Sequence, residues 1–549
     1  MPTRRDFVAT TGSALLGLAA APAILPRRRA LDLVIRGGTV FDGTGSPGVE
    51  RDLAILDGRI VEIAERIRQT GTEEFDARGL AVAPGFIDIH SHGDSNLDED
   101  PRAESLIRQG ITTIIVGQDG DSAATGETAG LAPDSTPGSF TDLFRGIERL
   151  QPAVNVASMV GLGTVRGAVI GERDRPATGE ELARMTRMVE SALAQGACGA
   201  SSGLEYTPGA FASREELIAL CRPLAPAGLP YATHMRNEDD RVLEAIDEAI
   251  AVAHGAGCPL QISHLKMQGP RNWDKLDQAF VRIAQARAAG MDVAFDRYPY
   301  VAYQTGLTNL FPVWSRDGGI DAFLGRLNDP AAAGRIRQEA LAKVDLLGGW
   351  DNVMVTSVRA EEDKPAQGQH LGSYARSLGV DPYELAVGLL RRSHGGVGMV
   401  GFAMSEGNLE RILNHPLSMV CSDGGSYAID GPTRRGSPHP RGLGTFPRVL
   451  GHYVRVGKIL KLEEAIRKMT AFPAARVRLS DRGRLAPGQA ADVAVFDPAR
   501  VEDRATFEDP FQYPVGVSLV VVNGAVALRE RERRLPGAGK ALRPQPRSS

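Results

Sequence analysis

Two histidines one residue apart, His90 and His92, end the run Pro84-Gly85-Phe86-Ile87-Asp88-Ile89-His90-Ser91-His92. An extended chain sends alternate side chains to the same side, so the two imidazoles point together and Ser91 points away. Two converging imidazoles are half of a divalent-cation site. Alone the pair says little, because surface and core pairs of this kind are common. His234, however, closes the apolar run Tyr231-Ala232-Thr233, His264 closes Gln261-Ile262-Ser263, and Asp423 follows Met419-Val420-Cys421-Ser422. Of ten histidines in the chain, four thus fall at the ends of runs that read as strands. A core histidine with a satisfied hydrogen bond explains any one of them; four together with a strand-end acid point to a shared metal. Borderline ions such as Zn²⁺ take neutral imidazole and carboxylate oxygen. Such an ion brings the pKa of a bound water toward about 7. Asp423 is then suited to accept the water's proton and return it to a leaving group.

Those side chains need a frame that brings strand ends together. Between about residues 81 and 475, short apolar strands (86–89, 111–116, 154–160, 231–233, 260–263, 293–295, 418–421) alternate with helical stretches such as 216–221, 242–254 and 276–289. Alternation of this kind implies βαβ units and a parallel sheet, and so many units favour a closed, TIM-like (β/α)8 barrel. All the chemistry-bearing residues lie where such a barrel keeps its active site. The stretch 302–410 is too long for one crossover and reads as an insertion, placed to cover the site. Either side of the barrel the sequence is β-rich. Leu33–Ile35 and Thr39–Phe41 flank Gly37-Gly38, residues 53–55 and 60–63 flank Asp57-Gly58, and residues 492–496 and 519–522 repeat the style, the latter running into Asn523-Gly524. Hairpins are expected at the glycine pairs. Segments 31–80 and 476–535 are therefore expected to meet in one small β-sandwich, with a Pro/Arg-rich tail fraying after Leu535.

With 549 residues the chain exceeds one compact core, which suits this two-part plan. Hydrophobic residues at 42% and charged residues at 24% are ordinary for a folded soluble chain, and no run is suited to span a membrane. A net charge of −4, with arginines clustered only at the ends, gives no footprint for nucleic acid. Cys198, Cys221, Cys258 and Cys421 lack any paired spacing and read as free, buried thiols. Residues 1–25 look like an export leader: Thr3-Arg4-Arg5-Asp6-Phe7-Val8 resembles the twin-arginine pattern and precedes an alanine-rich apolar run. The expected location is periplasmic or otherwise exported.

Longer stretches carry a resemblance. Ser201-Ser202-Gly203-Leu204-Glu205-Tyr206-Thr207-Pro208-Gly209, Thr233-His234-Met235-Arg236-Asn237-Glu238, Ile262-Ser263-His264-Leu265-Lys266, Tyr298-Pro299-Tyr300, His439-Pro440-Arg441 and residues 444–451 resemble the amidohydrolase superfamily, more narrowly the N-acyl-D-amino-acid deacylases. The likeness runs from about Asp32 to Gly524. It implies a β-sandwich built from both ends, a (β/α)8 catalytic barrel, one or two zinc ions and hydrolysis of an N-acyl amide. By the same resemblance His90, His92, His234 and His264 are metal ligands, and Asp423 is the general acid/base and a ligand. Tyr206, Lys266, Tyr298 and Arg441 contact the scissile amide or the substrate carboxylate. A cationic anchor at Lys266 or Arg441 makes physical sense, because it orients the amide over the nucleophile.

Two departures stand out. Gly117-Gln118-Asp119-Gly120 carries Asp119 where deacylases of this group often show a cysteine, giving a harder oxygen ligand able to bridge two metals. Leu162 stands where relatives commonly place a histidine, and the loop from Gly424 to Pro438 is longer than expected. The alternatives are a dipeptidase and a cyclic-amide hydrolase of the dihydroorotase or hydantoinase kind. The latter usually bridge their metals with a carboxylated barrel lysine, and Gly199–Gly203 offers none. Deaminase chemistry would need a separate proton donor, for which Glu238 is the nearby candidate. A binding protein that has lost turnover is opposed by the presence of Asp423 and every ligand histidine.

Overall fold

The computed structural model describes residues 30–125, 138–534 and 537–546, so the leader reading of residues 1–25 lies outside the described residues. Both ends of the chain build one nine-stranded sheet. Leu31–Val40, Val49–Leu56, Arg59–Ala64, Gly71–Asp76 and Ala81–Pro84 come from the start of the chain, and Val493–Phe496, Val517–Val522, Ala525–Arg529 and Glu532–Arg533 from its end. The halves join where Ala81–Pro84 pairs antiparallel with Val493–Phe496, so the sheet reaches to Pro84. Leu33, Ile35, Leu53, Ile55, Val82, Val493, Val495, Leu519 and Val521 close one core on it.

Two of the expected hairpins form for the expected reason. Asp57 and Gly58 take φ of 52° and 75°, Asn523 and Gly524 take 49° and 85°, and a tight two-residue turn demands this left-handed backbone at both positions. The hairpin expected at Gly37-Gly38 does not form. Leu31–Val40 is a single strand, and the glycine pair absorbs a bulge between Ile35 and Gly38, Gly37 taking φ of 63°.

The barrel strands are β1 (Phe86–Asp88), β2 (Ile111–Val116), β3 (Asn155–Ser158), β4 (Ala200–Gly203), β5 (Tyr231–His234), β6 (Leu260–Ile262), β7 (Val293–Arg297) and β8 (Ser418–Val420). The ladders β1–β2–β3 and β4–β5–β6–β7–β8 are parallel throughout. Two seams close the ring. Cys198 N donates to Ser158 O (2.9 Å) between β3 and β4, and Ser422 N donates to Asp88 Oδ1 (2.8 Å) between β8 and β1. Every residue of β2 and β7 is buried, as parallel strands covered on both faces require. Helices return the chain between strands. Gly179–Ala194, for example, opens on a reciprocal Thr178/Glu181 cap.

Phe86 ties the layers together. Its side chain is fully buried, stacks on Phe446 (5.6 Å between centroids) and meets Phe496 of the terminal sheet at 6.1 Å. Phe86→Ala should lower stability by about 3–5 kcal/mol, read as a shifted denaturation midpoint; a shift under about 1 kcal/mol would contradict this packing.

The 302–410 insertion has its own sheet, in which Gly398–Phe402 pairs antiparallel with Ala302–Gly306 and Val353–Ser357. Its last helix, Glu406–Asn414, leads into β8 and packs on it. The tail over residues 537–546 does not fray. Lys540 O accepts from Val156 N (2.9 Å), Leu542 N donates to Val156 O (2.8 Å), and Gly539 N donates to Pro152 O (2.9 Å). The glycines let the tail lie flat on that backbone: a Cβ on Gly539 would stand 2.0 Å from Val154 O. The four cysteines are free and buried. No helix among the described residues is long and apolar enough to cross a membrane.

Candidate metal centre and active site

The strand ends of the barrel deliver their polar residues to one mouth. His90 sits in a bend just past β1 and His92 two residues on, at the cap of the Gly93–Ser95 turn, and their rings still approach to 5.3 Å. Asp119, His264 and Asp423 follow β2, β6 and β8 in left-handed backbone, with φ of 53°, 36° and 50°. Non-glycine residues pay for that conformation, and Asp and His are among the types that tolerate it. It turns the chain sharply at the strand end, so that these side chains look across the barrel axis. Gly203 makes room for one such turn, since a Cβ there would stand 1.9 Å from Asp119 O.

Two groups of donors share one carboxylate. Asp119 Oδ2 lies 3.5 Å from His90 Nε2 and 3.6 Å from His92 Nε2 on one side. On the other it lies 3.8 Å from His234 Nδ1 and 3.4 Å from His264 Nε2. Asp423 Oδ1 completes the first group, 3.2 Å from His92 Nε2 and 3.6 Å from His90 Nε2. The ring nitrogens of His234 and His264 face each other at 3.1 Å. Ligands held about 2.0–2.1 Å from a tetrahedral ion stand about 3.3–3.4 Å apart, and these separations bracket that value. His90 Nε2 and Asp119 Oδ1 are buried without hydrogen-bond partners. The donor set therefore fits divalent ions, with Asp119 placed to bridge two.

Further acids hold these imidazoles from behind. Asp296 of β7 accepts from His264 N (2.8 Å) and Gln261 Nε2 (2.6 Å), and its Oδ1 lies 3.5 Å from His90 Nδ1. Glu205 Oε2 and Glu238 Oε2 lie 3.5 and 3.8 Å from His234 Nε2, leaving Nδ1 toward the centre. Glu238 Oε1 is 3.1 Å from His264 Nδ1 and accepts from Lys266 Nζ at 2.6 Å. Fixing the far nitrogen selects the tautomer and the ring plane of a ligand histidine. Burial would raise the carboxyls of Asp119, Asp296, Glu205, Glu238 and Asp423, but neighbouring imidazoles and cations more than reverse it and hold all five ionised. Burial likewise opposes charge on His234, yet Glu238, Asp119 and Glu205 carry it up to about 10. A nest that favours imidazolium so strongly is electrostatically built for a cation.

A cavity of about 590 Å³ opens over this centre. Of the ten residues singled out from the sequence, nine line it, and His90 lies buried beneath. Tyr206 Oη accepts from Thr305 Oγ1 of the insertion at 3.2 Å. Tyr298 lies between two guanidiniums, Arg297 at 4.2 Å and Arg441 at 4.7 Å, and its hydroxyl is buried without a partner. Arg441 Nη1 donates to Asp423 Oδ2 at 2.7 Å, while its Nε is unpartnered. Lys266 Nζ, besides Glu238, meets His264 Nδ1 at 2.6 Å. Both cations expected to face substrate are thus also bound to acids of the centre. Sequence spacing does not mark Asp296, Glu205 or the insertion's Tyr303, Gln304 and Thr305 as site residues, and it offers Glu238 only as a deaminase proton donor. The one signal at Asp296 is an acid set directly after the apolar run Val293-Ala294-Phe295 and before Arg297.

A parallel barrel with a shared-carboxylate His/Asp centre at its C-terminal mouth defines a metal-dependent barrel hydrolase. Comparison with known proteins narrows this. A model of the amidohydrolase family matches residues 73–344 and 390–528, and the chain belongs to that family. It is 38% identical over 502 residues to N-acyl-D-glutamate deacylase of Alcaligenes xylosoxydans xylosoxydans, covering 90% of this chain and 93% of that protein. It is 36% identical to D-aminoacylase of the same organism, over 93% of this chain and 97% of that one. The crystal structure of N-acyl-D-glutamate deacylase from Bordetella bronchiseptica, complexed with zinc and a phosphonate mimic of the tetrahedral intermediate, superposes with a TM-score of 0.80 at 35% identity, covering 94% of this chain and 100% of that one.

Proposed function

We propose that this protein hydrolyses the amide bond of N-acyl amino acids, N-acyl-D-amino acids first among them, at a zinc centre held by His90, His92, Asp119, His234, His264 and Asp423. The observation that carries the reading is the Asp423 carboxylate, one oxygen turned to the centre and the other held by Arg441. A divalent ion bound here supplies Lewis acidity that brings a water's pKa toward about 7. Asp423 Oδ1 takes the proton from that water and delivers it to the departing amine, so the amine leaves neutral. Arg441 keeps the carboxylate ionised and fixed in orientation. Tyr298 Oη and Arg441 Nε, buried donors without partners, are placed to hold the scissile carbonyl or the substrate carboxylate. Lys266 holds Glu238 and His264 in place and adds positive charge for the same carboxylate.

The reading is supported over a cyclic-amide hydrolase by the bridge. Asp119 occupies the position between the two imidazole pairs, and Ala200–Gly203 contains no lysine. A screen of N-acetyl-D- and L-amino acids, dipeptides and hydantoins on zinc-loaded protein tests it. Amine release from N-acetyl-D-amino acids, abolished by chelator and restored by zinc, is the expected outcome. Chelator-insensitive release, or turnover confined to dipeptides or cyclic amides, would overturn it.

We also propose that the protein is exported through its Arg4-Arg5 leader. Replacing both arginines by lysine should retain the chain in the cytoplasmic fraction; unchanged fractionation would refute the leader.

A further inference from the structure

The relatives include proteins named for an acidic substrate and one named for D-amino acids in general, and their identities to this chain, 38% and 36%, do not separate them. The charges in the cavity do. Among the described residues lining it, Lys266 and Arg441 are the lysine and arginine, and each is already bound to an acid of the centre, Glu238 at 2.6 Å and Asp423 at 2.7 Å. His439 offers no cationic donor either, since Nδ1 accepts from Arg441 N (3.0 Å) and Nε2 is spent on Ala302 O (3.0 Å).

One wall instead presents carboxylates with no ion-pair partner among the described residues. The helix Leu162–Ile170 turns Gly163, Thr164 and Gly167 to the cavity, and Asp121 and Glu172 stand at its two ends. Asp121 Oδ1 accepts from Thr164 Oγ1 at 2.9 Å. Arg316, within Coulombic reach of Glu172, stays behind the wall and donates to Glu205 O at 3.0 Å. The opposite wall, from the insertion, is neutral. Tyr303, itself 5% exposed, brings a hydroxyl with no partner, and Gln304 and Thr305 bring an amide and an alcohol.

The substrate's α-carboxylate already claims what donor capacity Tyr298, Arg441 and Lys266 have left. A second carboxylate on the side chain would meet either two unpaired acids or uncharged hydroxyls, and like charges brought together in a confined site are strongly disfavoured. Resting on the deacylase reading above, we infer that the site selects N-acyl-D-amino acids with uncharged or basic side chains and discriminates against the glutamate and aspartate derivatives, with Glu172 a specificity-determining residue.

The test is kcat/KM of the zinc-loaded full chain for N-acetyl-D-leucine, -methionine, -lysine, -glutamate and -aspartate. The two acidic substrates should be slower by at least about tenfold, which corresponds to about 1.4 kcal/mol. Glu172→Lys, an exposed position that tolerates the change, should raise the glutamate-to-leucine ratio about tenfold. Equal or better turnover of the acidic substrates sinks the inference and would shift attention to the adjoining cavity, lined by Arg359 and Arg434, which meet no carboxylate among the described residues. An acid-averse enzyme whose ratio ignores Glu172→Lys sinks the role of Glu172. Turnover of none of the five removes the parent reading, an outcome plainly different from reversed selectivity.

Discussion

Asp423→Asn should lower kcat by about a hundredfold or more while leaving metal in place, because general acid–base transfer contributes roughly 10²–10⁴. The substitution is nearly isosteric. With its single amide oxygen turned toward His92 the ligand shell is kept, and the NH2 then faces Arg441, which loses its ion pair but stays in place. What it lacks is basicity: an amide cannot take the proton from water or return it to the amine. KM should move little, since Asp423 acts on the reacting atoms and not on the remote parts of the substrate. Steady-state kinetics and metal content measured on one sample decide it. Turnover near that of the parent protein would remove Asp423 from the chemistry, and loss of metal with loss of rate would make it a ligand only.

Asp119→Ala should have a larger effect on the metal itself. Its Oδ2 lies within 3.8 Å of all four ligand nitrogens, so one truncation opens both halves of the centre at once. Replacing a residue behind a ligand costs about 10–100-fold in metal affinity; loss of the shared ligand should exceed that, with activity falling in parallel. Four imidazoles would then crowd together without their central anion. Asp119→Cys should recover metal binding and shift preference toward softer ions, as thiolate replaces carboxylate. Competition titration with a metal indicator reads both variants. Parent-like affinity in Asp119→Ala would leave two separate sites in place of one bridged centre.

The convergence of these side chains on one mouth was legible because each ends an apolar run. His90, His92, His234, His264 and Asp423 needed only the rule that parallel-barrel chemistry gathers at strand C-termini. The mechanism of convergence was not fully legible. Alternation along a strand brings His90 and His92 to one side, yet both lie beyond the strand's end, and three other centre residues rely on left-handed backbone that no spacing reveals. The acids behind the ligands were hidden for a different reason. Asp296 gains its meaning from His90 and His264, and Glu238 from His264 and Lys266, all far off in sequence. For the same reason Lys266 and Arg441 read as free anchors although both are engaged. Gly37-Gly38 shows the limit of local turn rules: the pairing of Leu31–Val40 with strands on both sides outweighs the glycine signal, which survives as a bulge. By composition the tail beyond residue 536 reads as frayed, whereas its glycines fit it to the backbone of residues 151–154 and Lys540 and Leu542 bond to Val156 of β3.

The most direct measurement is an anomalous difference map at the zinc edge from crystals of active protein. It should place one or two ions beside the Asp119 carboxylate, within about 2.0–2.2 Å of imidazole nitrogens from both ends of the barrel sequence. An active crystal with no peak among His90, His92, His234 and His264, or with its zinc bound elsewhere, would contradict the account.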